Sequence, residues 1–345
     1  METANLHNEF VTVVMPIRNE ADFIATSLGA VTNQDYTGKL EILVLDGLST
    51  DSTQQIVAEM AGSDERIVLL NNPQHTVPYA LNIALRQAKG SIVVRVDGHC
   101  EVASDYVRRC VEVLQETEAD NVGGRMIAQS SSLFGKAVAV ATSSPFGVGG
   151  ARFHYSTKGQ WVDTVYLGAW PRKTFEHIGL FDEEMVRNQD DEFNYRLRAA
   201  GGRIWLSPKI RSTYTPRASV RRLWKQYYQY GYWKVRVLQK HTLQMRPRQF
   251  VPFAFVMTLL ASLLLPPLWP LAMIVGLLYL LANGAASFVL ARRHGMRLLL
   301  GLLLAHSIIH VSYGLGFLVG LIRFAHRWGD KVGKVSTLPP ITEHV

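Results

Sequence analysis

Two stretches of the chain carry no charged side chain, and they constrain its fold more than any other feature. The first, residues 249–291, is 43 residues long, and the second, residues 298–322, is 25 residues long. A helix needs about 20 apolar residues to cross a bilayer. The first stretch is therefore long enough for two spans joined at Pro266-Pro267 and the second for one. Buried core helices of a soluble protein are the alternative, which uncharged runs of this length disfavour.

Charge divides the chain into two unlike halves. Residues 1–192 contain 15 basic and 26 acidic side chains, whereas residues 193–345 contain 21 basic and 2 acidic ones. Residues 209–248 alone contain eleven Lys or Arg, no acid, and interleaved Trp and Tyr. Such a segment beside a span suits the anionic cytoplasmic leaflet and its headgroup layer. Single-stranded nucleic acid is the competing partner. Because the spans adjoin, we expect a membrane partner and no nucleic acid.

The positive-inside rule predicts the orientation of the spans. It makes residues 251–291 a hairpin and places five arginines in the cytoplasm: Arg246, Arg248, Arg292, Arg293 and Arg297. The segment 298–322 has two interpretations. If it spans once, the basic tail (Arg323, Arg327, Lys331 and Lys334) lies outside; a re-entrant or tilted segment broken near Gly314 and Gly316 would avoid this. We expect a multi-pass protein of the inner (plasma) membrane with a cytoplasmic catalytic domain.

A soluble domain is predicted before the membrane helices. The N-terminus, METANLHNEF, has no basic region followed by an apolar stretch, so no signal peptide is expected. Two cysteines, Cys100 and Cys110, do not make a disulfide framework and indicate a reducing compartment. The predicted organisation is a catalytic domain over 1–208, a basic aromatic interfacial segment over 209–248, membrane-embedded helices over 249–325 and a tail over 326–345.

Short apolar strands alternate with helices in the first two hundred residues. Strands are predicted at 10–15, 40–45, 67–70 and 91–96, and helices at 20–31, 51–60, 78–89 and 105–117. This alternation is typical of an α/β domain with a mostly parallel sheet, which binds ligands at the carboxyl ends of its strands. A dinucleotide-binding domain would show G-x-G-x-x-G after the first strand and a P-loop enzyme a Walker A motif; neither is present.

Polar side chains stand at two of these strand ends. Asp46 ends the second strand, and Asp97 and His99 flank one glycine at the end of the fourth. An oxygen ligand beside an imidazole suits Mg²⁺ or, better, Mn²⁺, and such an ion bridges phosphate oxygens. A turn aspartate and a surface histidine are the alternative interpretation of Asp97 and His99.

A second acidic group, Asn188-Gln189-Asp190-Asp191-Glu192, opens a predicted helix over 193–200. Helix capping and the helix dipole explain acids there without any chemistry. Three adjacent acids exceed what a cap needs, and one of them could serve as a general base. Both interpretations stay open on local grounds.

Taken together, three motifs in this order resemble glycosyltransferase family 2: VVMPIRNE at 13–20, VLDGLSTDST at 44–53 and VRVDGH at 94–99. Four further segments are most similar to the succinoglycan glucosyltransferase group of that family: SPFGVG at 144–149, WVDTV at 161–165, NQDDEFN at 188–194 and GGRIW at 201–205. The resemblance covers about residues 10–240. It implies a GT-A fold and a nucleotide-sugar donor.

The resemblance also implies roles for individual residues. The loop over 16–20 lies against the nucleotide, and Asp46 reads the base; the nucleotide-sugar contacts expected are Pro16, Arg18, Glu20, Asp46, Asp51 and Asp97. Asp97 and His99 take the D-x-D position that holds Mg²⁺ or Mn²⁺, with His99 replacing the usual second aspartate. Asp190 corresponds to the base, with Asp191 as its rival. Four residues are expected to face the acceptor or the membrane: Trp170, Gln226, Tyr230 and Trp233.

The function implied is transfer of a single sugar, with inversion, to a hydroxyl of a polyprenyl-diphosphate-linked saccharide at the cytoplasmic membrane face. UDP-glucose is the expected donor. Processive synthases carry Q-x-x-R-W where this chain has QYYQY at 226–230, which indicates that one sugar is added. The alternatives are a transferase that loads sugar onto polyprenyl phosphate, which needs no base, and a non-catalytic membrane scaffold.

Overall fold

The computed structural model describes residues 9–216, 218–244, 246–330 and 335–339. The first eight residues and two lysines of the predicted tail, Lys331 and Lys334, lie outside the described residues. The chain forms two compact units, and neither is continuous in sequence. We call them the sheet unit (1–127, 155–214 and 334–345) and the helical unit (128–154 and 215–333).

The four strands and four helices predicted before residue 118 are all present, and one further short strand lies among them at Cys100–Val102. The strands are β1 Val11–Ile17, β2 Leu40–Asp46, β3 Ile67–Asn71, β4 Ile92–Arg95, β5 Cys100–Val102, β6 Asn121–Ala128, β7 Gln160–Trp161, β8 Tyr166–Pro171 and β9 Ile204–Tyr214. The α-helices are α1 Ile24–Thr32, α2 Thr53–Ala61, α3 Val77–Gln87, α4 Tyr106–Thr117, α5 Leu133–Thr142, α6 Pro145–Val148, α7 Lys173–Ile178, α8 Gln189–Ala199, α9 Val220–Lys240, α10 Val251–Leu264, α11 Trp269–His294 and α12 Leu299–Arg323.

One mixed sheet, in the order β3-β2-β1-β4-β8-β6-β9-β5, organises the sheet unit. Its first four strands are parallel, with Val11 opposite Leu40 on one side and Ile92 on the other. Beyond them β8 runs antiparallel to both β4 and β6. The carboxyl ends of β1, β2, β3 and β4 therefore lie along one edge of the sheet.

Burial on both faces explains the composition of the first strands. Every residue of β1 (VTVVMPI) is buried, and β2 (LEILVLD) has one partly buried residue. Strands with helices on both faces read as continuous apolar runs because neither face meets water. Val13 and Met15 of β1 share one core with Leu28 of α1 and Ile42 of β2. The predicted α/β class is confirmed.

The compact units differ from the predicted linear domains in three places. Residues 128–154 belong to the helical unit, because the apolar helix α5 packs on α12: a Cβ at Gly301 would lie 2.7 Å from the Cβ of Ala137. Residues 209–214, expected in the interfacial segment, continue strand β9. From the expected tail, residues 335–339 return to the sheet unit, where the Leu180 amide donates to the carbonyl of Ser336.

Two helices of the helical unit, at Pro266–His294 and Met296–Arg323, are long and apolar enough to cross a membrane. The uncharged run 249–291 does not form two spans of equal length, because α10 has only 14 residues. At about 1.5 Å per residue, α10 is shorter than the hydrocarbon core is thick. The second helix, α12, is unbroken from Leu299 to Arg323, so a break near Gly314 and Gly316 is wrong.

Glycines of α12 allow neighbouring helices to pack closely against it. A Cβ at Gly314 would lie 2.3 Å from the carbonyl oxygen of Pro252 in α10, and one at Gly316 would lie 2.0 Å from that of Tyr228 in α9. Small residues let helix backbones approach each other in this way. A helix break was one of the two interpretations that the sequence left open here; in the structure these glycines form contact sites between helices.

Helix α9 is partly buried, whereas the sequence predicted an interfacial segment over 209–248. Its Arg236 side chain is 1% exposed, lies 5.7 Å from the Phe324 ring centroid and donates to Asp330 at 3.1 Å. Its first turn, with Arg221 and Arg222, is exposed. The basic segment is also exposed near its other end, at Arg246 and Arg248, so it presents charge to solvent on both sides of the buried Arg236.

Candidate active site

The loops after β1 and β2 are joined by hydrogen bonds at the carboxyl edge of the sheet. The Asn19 amide donates to Ser49 Oγ at 2.8 Å, and the Thr50 amide donates to Asn19 Oδ1 at 2.8 Å. Asn19 has φ 53° and Leu48 has φ 51°. Backbone strain of this kind concentrates at functional sites. The two loops form one rigid rim.

Asp46 lies in this rim but is fully buried. Ser49 Oγ donates to its Oδ1 at 2.5 Å, and the Ser49 amide and Gln54 Nε2 donate to its Oδ2 at 3.0 and 3.3 Å. The expected contact of Asp46 with a base stays a prediction, and the burial of this carboxylate gives it no support. Gln54 also donates to Asn71 Oδ1 at 3.2 Å, and Asn71 is exposed.

Asp51 has a structural role in the same rim. Its Oδ1 accepts from the amide and hydroxyl of Thr53, and its Oδ2 accepts from the Ala21 amide at 3.3 Å. The Thr53 hydrogen bond is the main cause of a lowered pKa for this carboxyl. The hydrogen bond from Ala21 therefore joins the two loops, whereas those from Thr53 lie at the start of α2.

Pro16 and Arg18, both expected at the nucleotide, differ in exposure. Pro16 is buried within β1, opposite Leu45. Arg18 is exposed, and its side-chain carbons would lie 3.2 to 3.4 Å from a Cβ at Gly47. Arg18 is thus available to an anionic ligand, whereas Pro16 can only shape the backbone.

A buried arginine joins the two acidic groups that the sequence singled out. Arg95, at the end of β4, donates through Nε and Nη2 to Asp97 Oδ1 at 2.9 and 2.8 Å. Its Nη1 donates to Asp190 Oδ1 at 2.5 Å. Tertiary folding thus brings the first turn of α8 to the end of β4. The sequence analysis did not single out Arg95, although a charge inside a buried strand was a signal that could have found it.

The charges in this group affect one another. Burial alone would lower the pKa of Arg95, but Asp190 and Asp97 outweigh it and the pKa is raised. Burial raises the pKa of Asp190; Arg95 opposes this, and the negative charges of Asp97 and Asp191 add to it. The Asp190 side chain is 35% exposed, so solvent weakens the effect of burial without changing its direction. We therefore expect Asp190 to be a stronger base than a free aspartate.

Asp190 and Asp191 are distinguished by position. They are successive residues of α8, so their side chains differ by about 100° around the helix axis. Asp190 engages Arg95 through Oδ1 only, and its Oδ2 accepts no hydrogen bond from any residue that the structure describes. Asp190 thus has an oxygen available at the strand edge.

His99 is oriented by a carboxylate. Its Nδ1 lies 2.9 Å from Oε1 of Glu20, which comes from the loop after β1. Gly98 permits this approach, since a Cβ there would lie 2.7 Å from Ile17 Cγ2 and 3.3 Å from Glu20 Cγ. Nε2 of His99 is left for another ligand. Metal-binding histidines are commonly held by a carboxylate in this way.

The donor set offers a divalent ion two candidate protein ligands. Asp97 offers an oxygen and His99 a nitrogen, but the described residues contain no cluster of three His, Cys, Asp or Glu side chains that could hold a metal. Hard divalent ions take six or more ligands. An ion at Asp97 and His99 would therefore depend on oxygens from the bound substrate.

Trp170 does not face an acceptor in this structure. It is 3% exposed and packs edge-on against three phenylalanines of the sheet unit: Phe175, Phe181 and Phe193. Its position in β8, beside β4, buries it. This burial gives no support to the expected contact of Trp170 with acceptor or membrane, which stays a prediction.

The other three expected acceptor residues lie on α9 of the helical unit. Gln226 Nε2 donates to the Tyr230 hydroxyl at 3.0 Å, and Trp233 packs on Phe324 at 5.8 Å. All three are partly buried. Their contact with an acceptor stays a prediction.

Comparisons with known proteins bear on the family and the fold. Residues 12–161 match the model of the family described as glycosyl transferase family 2. The chain is 30% identical over 330 residues to succinoglycan biosynthesis protein ExoA of Rhizobium meliloti (strain 1021), covering 95% of this chain and 99% of the relative. It is 29% identical over 264 residues to dolichyl N-acetyl-alpha-D-glucosaminyl phosphate 3-beta-D-2,3-diacetamido-2,3-dideoxy-beta-D-glucuronosyltransferase of Methanococcus voltae, covering 74% of this chain and 81% of the relative.

Among solved structures, the fold is similar to that of mannosyltransferase PcManGT from Pyrobaculum calidifontis, determined with GDP-Man and Mn2+. The TM-score is 0.57 at 22% identity, covering 90% of this chain and 87% of the other. The predicted GT-A fold is confirmed, as is the predicted family. The chain belongs to the family 2 glycosyltransferases and is an enzyme of polysaccharide or glycolipid synthesis.

Proposed function

We propose that this enzyme transfers a single sugar, glucose from UDP-glucose, to a hydroxyl of a polyprenyl-diphosphate-linked saccharide during synthesis of an exopolysaccharide or another cell-surface glycan. The observation that carries the proposal is the Asp190 carboxylate beside Asp97 and Arg95, with Oδ2 available. A hydroxyl acceptor needs a base at the edge where the donor is held, and Asp190 meets that need.

The names of the relatives support this choice of acceptor. The relative from Methanococcus voltae is named for action on dolichyl N-acetyl-alpha-D-glucosaminyl phosphate, a lipid-linked sugar. The relative from Rhizobium meliloti is named for succinoglycan biosynthesis, and the alignment covers 99% of it. The first of these names favours a lipid-linked saccharide acceptor over a bare polyprenyl phosphate, and the second favours a role in polysaccharide synthesis.

The chemistry assigned to Asp190 is general-base catalysis. Its Oδ2 accepts the proton of the acceptor hydroxyl while that oxygen attacks the anomeric carbon of the donor, and the nucleoside diphosphate leaves from the opposite face. One displacement inverts the configuration and needs no covalent intermediate. The raised pKa of Asp190, caused mainly by burial, makes it a better proton acceptor.

Asp97 and His99 are the residues that would hold Mg²⁺ or Mn²⁺, with Glu20 orienting His99 through Nδ1. When bound, the ion neutralises negative charge on the diphosphate. Arg18, exposed beside Gly47, is the cationic side chain of this rim that can contact the same diphosphate.

The helical unit is assigned to membrane attachment. Helix α11 exposes a series of large apolar side chains, among them Leu277, Leu278, Leu280 and Leu281. Contiguous apolar surface of this size is typical of a membrane-facing element. The basic first turn of α9 suits anionic headgroups on the cytoplasmic side of the plasma membrane. A lipid-linked acceptor would meet the enzyme at that surface.

The experiment that tests the proposal incubates membranes containing the enzyme with labelled nucleotide sugars and, separately, with lipid-linked saccharides and polyprenyl phosphate. Label should pass from UDP-glucose to the lipid-linked saccharide, and EDTA should stop the transfer. Transfer to polyprenyl phosphate alone, retained in Asp190→Asn, would support the loading reaction instead. Absence of any transfer or donor hydrolysis would support the scaffold alternative.

A further inference from the structure

Arg95 is a deeply buried charge that the proposed reaction leaves without a role. The residue is 5% exposed, yet all of its described hydrogen bonds go to side chains of the candidate active site. Another buried arginine of the same unit, Arg172, instead donates to backbone, to the carbonyls of Leu85 at 3.1 Å and Ala88 at 2.6 Å.

The geometry of Arg95 is that of a bridge. On the Asp97 side, two nitrogens share one oxygen, which fixes the guanidinium plane. On the other side, Nη1 contacts Oδ1 of Asp190. An arginine guanidinium is planar and rigid, so its fixed end determines where its free end points. The orientation of the Asp190 carboxylate thus depends on the Arg95 guanidinium, which Asp97 holds in place at the end of β4.

Asp190 needs such a partner. It belongs to the first turn of α8, 35% of its side chain is exposed, and no other described residue hydrogen-bonds to its carboxylate. Two side-chain torsions would otherwise be free to turn Oδ2 away from the acceptor. A small misplacement of a reacting group costs about 10²-fold in rate.

We propose that Arg95 is a positioning residue of the transfer reaction: anchored by Asp97, it holds Oδ1 of Asp190 so that Oδ2 faces the acceptor hydroxyl. This inference rests on the proposed function, since it assigns a partner to the proposed base. Arg95 acts through Asp190 and need not touch the substrate.

The test uses the full-length protein in membranes and compares Arg95→Met, which keeps the length of the side chain and removes the fork, with Arg95→Lys. Arg95→Met should lower kcat about 10²-fold with little change in donor KM, and Arg95→Lys should recover part of the loss. In an Asp190→Asn background, Arg95→Met should cause no further loss, because the group it positions is gone. Arg172→Lys, which alters a buried arginine away from the site, should leave kcat of the folded protein unchanged.

Three outcomes would overturn the inference: full kcat in Arg95→Met, a loss confined to donor KM, or an equal additional loss in the Asp190→Asn background. Calorimetry with the nucleoside diphosphate shows whether each variant is folded, and if Arg95→Met does not fold, Arg95→Lys in the two backgrounds decides. If the wild type transfers no sugar to a lipid-linked saccharide, the proposed function fails. If it does transfer sugar and Arg95→Met is fully active, only the role of Arg95 fails.

Discussion

The Asp190 carboxylate is influenced by burial, by the cation of Arg95 and by two other carboxylates. Burial has the largest effect, and the pKa is raised above its ordinary value of 3.8. A base must be deprotonated to work, so activity is lost as the pH falls through the pKa of Asp190. Because that pKa is raised, the acid limb of the rate profile should lie above pH 3.8, which a pH–rate series with saturating donor measures.

Asp190→Asn should reduce transfer by about 10²–10⁴-fold, because the amide keeps the shape of the carboxylate but cannot accept the proton. Donor affinity, measured by calorimetry, should change little. Asp191→Asn is the matched control on the next residue and should keep most of the activity. The reverse result, with Asp191→Asn inactive, would mean that Asp191 is the base.

A substitution at Glu20 tests the predicted metal site through metal affinity, independently of the rate of transfer. If Glu20 orients His99 toward an ion, Glu20→Ala should weaken Mn²⁺ affinity by about 10- to 100-fold. Calorimetry or electron paramagnetic resonance with Mn²⁺ and nucleoside diphosphate measures this affinity. Glu116→Gln, which alters an exposed carboxylate paired with Lys209, is the control. Unchanged Mn²⁺ affinity in Glu20→Ala would show that the Glu20–His99 contact only stabilises the loop after β1.

At the scale of elements, the closest packing in the helical unit is between α9 and α12. A Cβ at Gly231 would lie 2.0 Å from the carbonyl oxygen of Tyr313, and one at Gly316 would lie 2.0 Å from that of Tyr228. Neither carbonyl can yield without bending its helix. The two helices therefore depend on glycine at two neighbouring contacts, which hold the basic aromatic helix α9 against the apolar helix α12.

Gly231→Ala should lower the stability of the protein by at least about 1–3 kcal/mol, the usual cost of overpacking. Gly284→Ala on α11 is the matched control, because a Cβ there meets nothing within 4 Å. It should be neutral or stabilise by up to about 1 kcal/mol, the helix propensity difference. Thermal unfolding in detergent compares the two, and equal midpoints would contradict the packing described between α9 and α12.

At the scale of the whole molecule, the exposed apolar surface of α11 predicts how the protein fractionates. An integral protein stays in the membrane under high salt and alkaline carbonate, whereas a protein held by basic side chains is released when salt screens the charges. We expect the enzyme to be released by detergent alone. Release by salt would mean that the basic segment, and not α11 and α12, attaches it.

The sequence by itself determined the class of the fold and the family. Strand and helix periodicity predicted β1 to β4 within a few residues, because neighbouring apolar side chains in a strand buried on both faces leave a local signal. The motifs around Asp46 and Asp97 identified the family because their order along the chain is a property of the sequence. The uncharged runs likewise predicted apolar helices after residue 249.

Only the tertiary structure decided which side chains meet. The bridge from Arg95 to Asp190 joins residues 95 positions apart, and the helical unit recruits residues 128–154 from the middle of the chain. Gly314 and Gly316 have the local signature of a helix break, yet close contacts with neighbouring helices keep α12 continuous. Trp170 is likewise buried by contacts with distant residues: its strand β8 pairs with β4, and phenylalanines from α7 and α8 pack against its ring. Local patterns record the environment of one element, whereas contacts between distant elements depend on the packing of the whole unit.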